Sequence, residues 1–253
     1  REGSLLIRAT DIKIGFETRM PVEVQEEGSL TVFCDKLTGI LASIPEGTIE
    51  VDQKDAKVVI KPSFKKAQFS LKTIGSEQFP QLPDIDDDKY FSIPIADFKD
   101  MIGQTIFAVS DDETRYFMNG VYLERAQDGL VMVATDGRRL AYIKRGIVEG
   151  VPEFKGVIIP PKLLSVVLHR AGNEGQIDLA VSDKNLFVKF GQYGLSTVLI
   201  EGQFPNYQKV VPESQKYTVS VKRQDVIDAL KRVSIFVEQK SRRTFFALSA
   251  DKL

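Results

Sequence analysis

The chain has 253 residues, 43 % hydrophobic and 27 % charged, enough for two ordinary domains with a buried core. No uninterrupted apolar run approaches the roughly 20 residues that span a bilayer, which argues against a membrane protein. The balance of 34 basic against 35 acidic residues argues against a protein that coats nucleic acid by bulk charge, although basic residues confined to one surface would still serve weak, sliding contact.

One cysteine, Cys34, forms no internal disulfide, and the opening Arg-Glu-Gly-Ser lacks the apolar run of a secretory signal, so the expected compartment is the cytoplasm. A start at Arg1 without methionine reads as an excerpt of a longer protein.

In chain order, the first periodic signal is Leu37, Ile40, Leu41 and Ile44, an i, i+3, i+4, i+7 stripe that predicts a helix. Pro80, Pro83 and Asp84 to Asp88 mark a linker. Tyr90-Phe91-Ser92-Ile93 reads as a strand running into a helix whose apolar face is Phe98, Met101, Ile102 and Ile106. Segments 117–124, 129–135 and 139–145 read as strands, with Asp128-Gly129 as a hairpin turn. A second helix over 160–172 carries Leu163, Val166, Val167 and Arg170, and strands are expected at Leu186-Phe187-Val188 and Thr197-Val198-Leu199-Ile200. Pro205, Pro212 and Ser214 mark a second linker, followed by a strand over 217–221 and a helix with Val226, Leu230 and Val233 on one face.

The chain also repeats itself. Ala9-Thr10-Asp11 recurs as Ala134-Thr135-Asp136 and Phe79-Pro80 as Phe204-Pro205, both displaced by 125 residues. Tyr90-Phe91-Ser92-Ile93 matches the 217–221 segment at a displacement of 127. A period near 125 is a domain rather than a solenoid unit. The expected organisation is the back part of one copy over 1–87, a complete copy over 88–214 and the front of a third over 215–253. Each copy is expected to be α+β, with two helices against two small antiparallel sheets.

No constellation for catalysis emerges. The single histidine, His169, lies in a predicted helix without a Gly-x-Ser-x-Gly elbow elsewhere, and a surface or packing role suits it better than catalysis. Asp84, Asp86 and Asp88 alternate like the start of a calcium loop, but Lys89 and Ile95 stand where glycine and glutamate are required, so a solvated linker is the expectation. Cys34 has no neighbouring cysteine for zinc, and no phosphate-cradling glycine loop is present. Neither an enzyme nor a cofactor is expected.

The ordered elements Ala9-Thr10-Asp11, Ile44-Pro45-Glu46-Gly47, Phe69-Ser70-Leu71, Phe79-Pro80, Arg115-Tyr116-Phe117-Met118-Asn119-Gly120, the run from Ala134-Thr135-Asp136-Gly137 through Arg138-Arg139-Leu140-Ala141, and Gly202-Gln203-Phe204-Pro205-Asn206-Tyr207 span nearly the whole sequence. Together they resemble the bacterial sliding clamp, the beta subunit of the replicative DNA polymerase III. The resemblance implies a tandem sliding-clamp fold and a non-enzymatic processivity factor. It implies a head-to-tail homodimer closing a ring around double-stranded DNA, with helices lining the hole. It also implies partners: the polymerase catalytic subunit, the clamp loader and clamp-binding repair proteins. A non-enzymatic α+β repeat protein that binds other proteins without encircling DNA is the alternative.

Two sites follow from the resemblance. Lys162 matches a DNA-facing lysine, with Lys99 and Arg232 as weaker candidates; each also fits an ordinary solvated helix face. The four helical stretches 34–44, 95–110, 160–172 and 221–237 together carry a charge of +3 against −1 for the chain, the sign that phosphate contact requires. Asp112, in a loop where the family approaches DNA, has the wrong sign. The second site is a pocket for partner peptides, to which Met118, Thr135, Gly137, Arg138, Arg139, Leu140, Pro205, Lys209 and Val210 correspond, with Arg115 and Phe117 at its margin. Leu140 and Val210 also fit plain core. An apolar floor with a cationic rim suits a peptide with aliphatic anchors and polar flanks.

Overall fold

The computed structural model describes residues 3–64, 66–147, 149–212, 214, 216–238, 244–247 and 249; the join read near 215 falls on a residue outside this set. Two units are distinguished, Arg1–Tyr207 and Gln208–Leu253.

The first unit begins with the hairpin β1 (Ser4–Thr10) and β2 (Ile14–Pro21), followed by α1 (Cys34–Ser43) and the meander β3 (Ile49–Lys54), β4 (Lys57–Pro62) and β5 (Phe69–Lys72). After the linker come β6 (Phe91–Pro94), α2 (Ile95–Gly103), β7 (Val121–Ala126), β8 (Gly129–Thr135), β9 (Leu140–Arg145), β10 (Val157–Ile159), α3 (Pro161–Arg170), β11 (Gln176–Val181), β12 (Asn185–Phe190) and β13 (Tyr193–Val198). The fold is α+β, with helices packed against antiparallel sheets.

The 125-residue displacement seen in sequence reappears as element order. The succession hairpin, helix, three-strand meander occurs as β1–β2, α1, β3–β5 and again as β8–β9, α3, β11–β13. The sheets, however, are not confined to one copy. A six-stranded sheet runs β1-β2-β13-β12-β11-β6, in which β13 pairs with β2 from Tyr193↔Thr18 to Thr197↔Ile14. Backbone pairing between distant segments leaves no local periodicity to read.

One core holds α2 and α3 against strands of two sheets. Phe98, Met101 and Ile102 of α2 meet Leu163, Leu164 and Val167 of α3, with Ile93, Ile177, Leu186 and Val188 below them. Strand β8 is buried along its whole length because both its faces are covered. Leu130, Met132 and Ala134 point into the helical core; Val131 and Val133 point into a second cluster with Ile158, Phe204 and Tyr207. Gly129 makes the hairpin possible: its φ is +156°, and a Cβ there would lie 2.0 Å from the Arg145 carbonyl oxygen.

Several boundaries differ from the sequence reading. Residues 113–118 form a 3-10 turn rather than the start of a strand, and β7 begins only at Val121. Asp112 closes that turn by accepting bonds from the Thr114 amide and hydroxyl, which outweighs the β propensity of Tyr116 and Phe117. Ile106 lies beyond α2 in a separate 3-10 turn, because Thr105 Oγ1 bonds back to the Met101 carbonyl (2.7 Å) and ends the helix. β13 stops at Val198, and Ile200 instead bridges to Ile158. In the second unit α4 (Arg223–Ser234) carries the expected stripe, but residues 217–221 form no strand.

Candidate peptide-docking and DNA-facing surfaces

The repeated Ala-Thr-Asp element is a turn held by side chains. In the second copy Thr135 Oγ1 donates to the Arg139 carbonyl (2.7 Å) and accepts from the Gly137 amide (3.0 Å), while Asp136 Oδ1 accepts from the Arg138 and Arg139 amides (2.9 and 3.0 Å). The first copy has the same four bonds: Thr10 to Ile14 (2.8 Å), Ile12 to Thr10 (2.9 Å), and Lys13 and Ile14 to Asp11 (3.1 and 2.8 Å). The motif therefore recurs because short polar side chains satisfy the backbone of a four-residue connection.

Around the second turn two arginines are aimed by acids three residues before them. Asp136 Oδ2 accepts from Arg139 Nε (3.1 Å), and Arg139 Nη2 donates to the Phe107 carbonyl (2.7 Å) with the guanidinium 5.5 Å from the Phe107 ring centre. Asp112 Oδ2 accepts from Arg115 Nε (2.9 Å), and Arg115 Nη1 lies over Gly137, 2.8 Å from where a Cβ would stand. Bonds from the Thr114 hydroxyl and amide and from Arg115 hold the Asp112 carboxyl below its ordinary range. Burial pushes the Asp136 carboxyl up, but the amides of Arg138 and Arg139 and the Arg139 guanidinium outweigh it and leave it lowered. Both acids are thus charged partners of a cationic rim, so Asp112 does not stand as a bare charge facing phosphate.

Below the rim, Phe117 and Leu140 are half-buried and pack on the second cluster of Val131, Val133, Phe204 and Tyr207. Met118 is buried outside that cluster and stands in the 3-10 turn, not in a strand; Ser110 donates its amide to the Met118 carbonyl (3.0 Å). Thr135 is buried, Pro205 half-buried, and Gly137, Arg138 and Arg139 are exposed. The Phe-Pro-x-Tyr element lies across the outer face of this sheet. Phe204 stacks on Tyr122 at 4.8 Å, Tyr207 approaches both Tyr122 and Tyr142, and its hydroxyl bonds to Glu124. Lys209 and Val210 lie in the second unit and are exposed, Val210 at 67 %.

Phe107, 57 % exposed, and the carboxylates Asp112 and Asp136 are parts of this rim that the sequence reading did not assign to it. The Asp-x-x-Arg spacing, present twice, is the signal that could have found the acids.

The basic residues differ in their engagements. Lys162, on the exposed side of α3, pairs with Asp11 of the first turn and still exposes 69 % of its side chain. That bond, followed by the Ile14 amide, lowers the Asp11 carboxyl. Lys99 reaches from α2 to the end of α3, where its ammonium donates to the carbonyls of Ala171 (2.9 Å) and Gly172 (3.2 Å) and to Asn173 Oδ1 (2.7 Å). A lysine so placed satisfies carbonyls that the helix end leaves open. Arg232 lies on the exposed surface of α4.

Among the described residues no group of three or more His, Cys, Asp or Glu could hold a metal ion, and no helix is long and apolar enough to cross a membrane. His169 points its Nδ1 at the Ser165 carbonyl (2.7 Å), a local helix contact.

Residues 1–83 match the N-terminal domain of the DNA polymerase III beta subunit, and residues 92–206 match its central domain. The chain is 43 % identical over 248 residues to the beta sliding clamp of Treponema pallidum, covering 98 % of this chain and 67 % of that protein. It is 30 % identical over 250 residues to the beta sliding clamp of Chlamydia muridarum, covering 98 % and 68 %. Among solved structures, the sliding clamp of Bartonella birtlesii bound to griselimycin superposes with a TM-score of 0.88 at 28 % identity, over 96 % of this chain and 66 % of that one. The chain thus spans about two thirds of the length of these relatives. With both domain patterns matched in order, this chain belongs to the family of beta sliding clamps, the non-catalytic beta subunits of DNA polymerase III.

Proposed function

We propose that the chain is the larger part of a clamp that encircles duplex DNA as a homodimeric ring and tethers partner proteins through a peptide-docking pocket. In this reading three successive copies join near residues 87 and 215, and the protein works in the cytoplasm on the polymerase catalytic subunit, the clamp loader and repair proteins. One observation carries the pocket: Leu140 and Phe117, half-buried on one apolar cluster, follow Arg139 and Arg115 by one and two residues, and those guanidinium groups are held in place by Asp136 and Asp112. Such a surface offers a floor for aliphatic or aromatic anchors and fixed donors for a peptide's carbonyls and carboxylates.

For DNA, the supporting feature is the adjacency of α2 and α3 over a single core, with Lys162 exposed on α3. Few fixed contacts and a steep fall of affinity with salt suit a ring that must slide.

The pocket is tested by fluorescence titration of a labelled partner peptide against the parent, Leu140→Asp and Arg138→Ala proteins, with folding checked by circular dichroism. A carboxylate in a dry contact abolishes binding, whereas Arg138→Ala weakens it modestly. Undiminished binding by folded Leu140→Asp protein refutes the pocket. Encirclement is tested with the full-length dimer on circular and linear DNA; equal retention on both favours a binding protein that does not encircle.

A further inference from the structure

The first copy of the turn carries a β-branched residue where the second has a glycine. Gly137 adopts a φ of +83°, and its counterpart 125 residues earlier, Ile12, adopts +76°. A β-branched residue is strained in this left-handed region, where glycine is not. Burial does not offset the strain, because Ile12 is 81 % exposed. An apolar side chain held in an unfavourable backbone conformation and presented to solvent points to a contact made with something else.

Beside Ile12 lies a crevice of about 80 Å³ between the turn, the linker from Pro80 to Pro83, and the end of β13. Its residues correspond at a constant displacement of 125 to those of the proposed pocket: Thr10 to Thr135, Lys13 to Arg138, Gly15 to Leu140 and Pro80 to Pro205. Gly15 stands where the second copy has Leu140, and Ser196 and Leu82 take the space of its missing side chain: a Cβ there would lie 2.5 Å from Ser196 Oγ and 3.2 Å from Leu82 Cδ2. Val198, 45 % exposed, forms the rim opposite the linker, and Lys13 supplies an exposed cation. The volume matches about three waters, or one branched aliphatic side chain.

We propose that this crevice is a second peptide-docking site, taking one aliphatic side chain of an extended, acidic-flanked peptide against Ile12 and Val198, with Lys13 facing the flanking carboxylate. The peptide chemistry rests on the reading of the Leu140 pocket, since both sites derive from one repeated turn. A single anchor fits, so binding is roughly tenfold or more weaker than at a pocket with two anchors.

The test is a methyl-labelled NMR titration of the whole chain with the synthetic peptide acetyl-Asp-Leu-Ser-Leu-Asp-amide, following the methyl groups of Ile12 and Val198 separately from those of Leu140 and Met118. Saturable shifts at Ile12 and Val198 are expected to persist in Leu140→Asp, and the shift at Ile12 to vanish in Val198→Asp. Ile12→Gly is expected to raise the melting temperature while weakening binding at this crevice at least threefold; a purely structural Ile12 would move stability and leave binding unchanged. Shifts confined to Leu140 and Met118 overturn the second site and leave the first standing. No shifts at either set overturn both.

Discussion

Phe204 lies flat on Tyr122, with ring centres 4.8 Å apart and planes 8° from parallel. Through this stack the segment leaving the last strand of the first unit covers the outer face of β7 and β8, so that Val131 and Val133 are buried as completely as residues of the helical core. Phe204 is only 8 % exposed, and its loss opens a cavity that flat sheet residues fill poorly. Phe204→Ala is expected to destabilise the protein by about 3 kcal/mol, read from urea unfolding, and to weaken peptide binding because Leu140 and Phe117 rest on the same cluster.

Lys99 and Lys162 differ in their engagements, and the proposed DNA contact assigns them different weights. Lys99→Met removes three charge-assisted bonds at the end of α3 and is expected to cost about 1 kcal/mol of stability without altering the salt dependence of DNA retention. Lys162→Ala is expected to leave stability nearly unchanged, since its pair with Asp11 is exposed, and to lessen the salt dependence of retention by the complete ring. The opposite pattern in unfolding and salt-titration experiments would reverse the two assignments.

The two turns make a paired test of backbone chemistry. Gly137→Ala places a Cβ at positive φ and 2.8 Å from Arg115 Nη1, and is expected to cost about 1–2 kcal/mol in thermal unfolding while displacing the Arg115 guanidinium from the pocket rim. Peptide affinity should fall with it. Unchanged stability and affinity would mean that the turn adjusts freely.

Tyr122 gives the fold an alkaline limit. Burial, then the Glu124 charge and hydrogen bond, push its hydroxyl up to about 12. The fold favours the neutral phenol, so this contribution is complete below the unfolded tyrosine value of about 10 and is lost as pH rises from there through about 12. Ultraviolet difference spectra should show Tyr122 ionising late, in step with loss of structure. Glu124→Gln should bring that ionisation down toward the ordinary value; an unmoved late step would exclude Glu124 as a cause.

Local chemistry written in the sequence determined much of this protein. The 125-residue displacement predicted a repeated domain, and the Thr-Asp pairs at 10–11 and 135–136 fold into equivalent turns because their side chains bond to amides only two or three residues away. Helical stripes such as Phe98, Met101 and Ile102 likewise declare one face each, since 3.6-residue spacing is set by the backbone itself. What joins β13 to β2, lays Phe204 over Tyr122 and takes Lys99 to the end of α3 was decided by the tertiary structure alone. Those partners stand 72 or more residues apart in the bonds from Lys99 and farther still in the sheet, and no periodicity encodes which distant strand or carbonyl will be left open. The turn chemistry could be read residue by residue, whereas the sharing of one sheet between two copies follows only from which edges remain unpaired once each copy has collapsed.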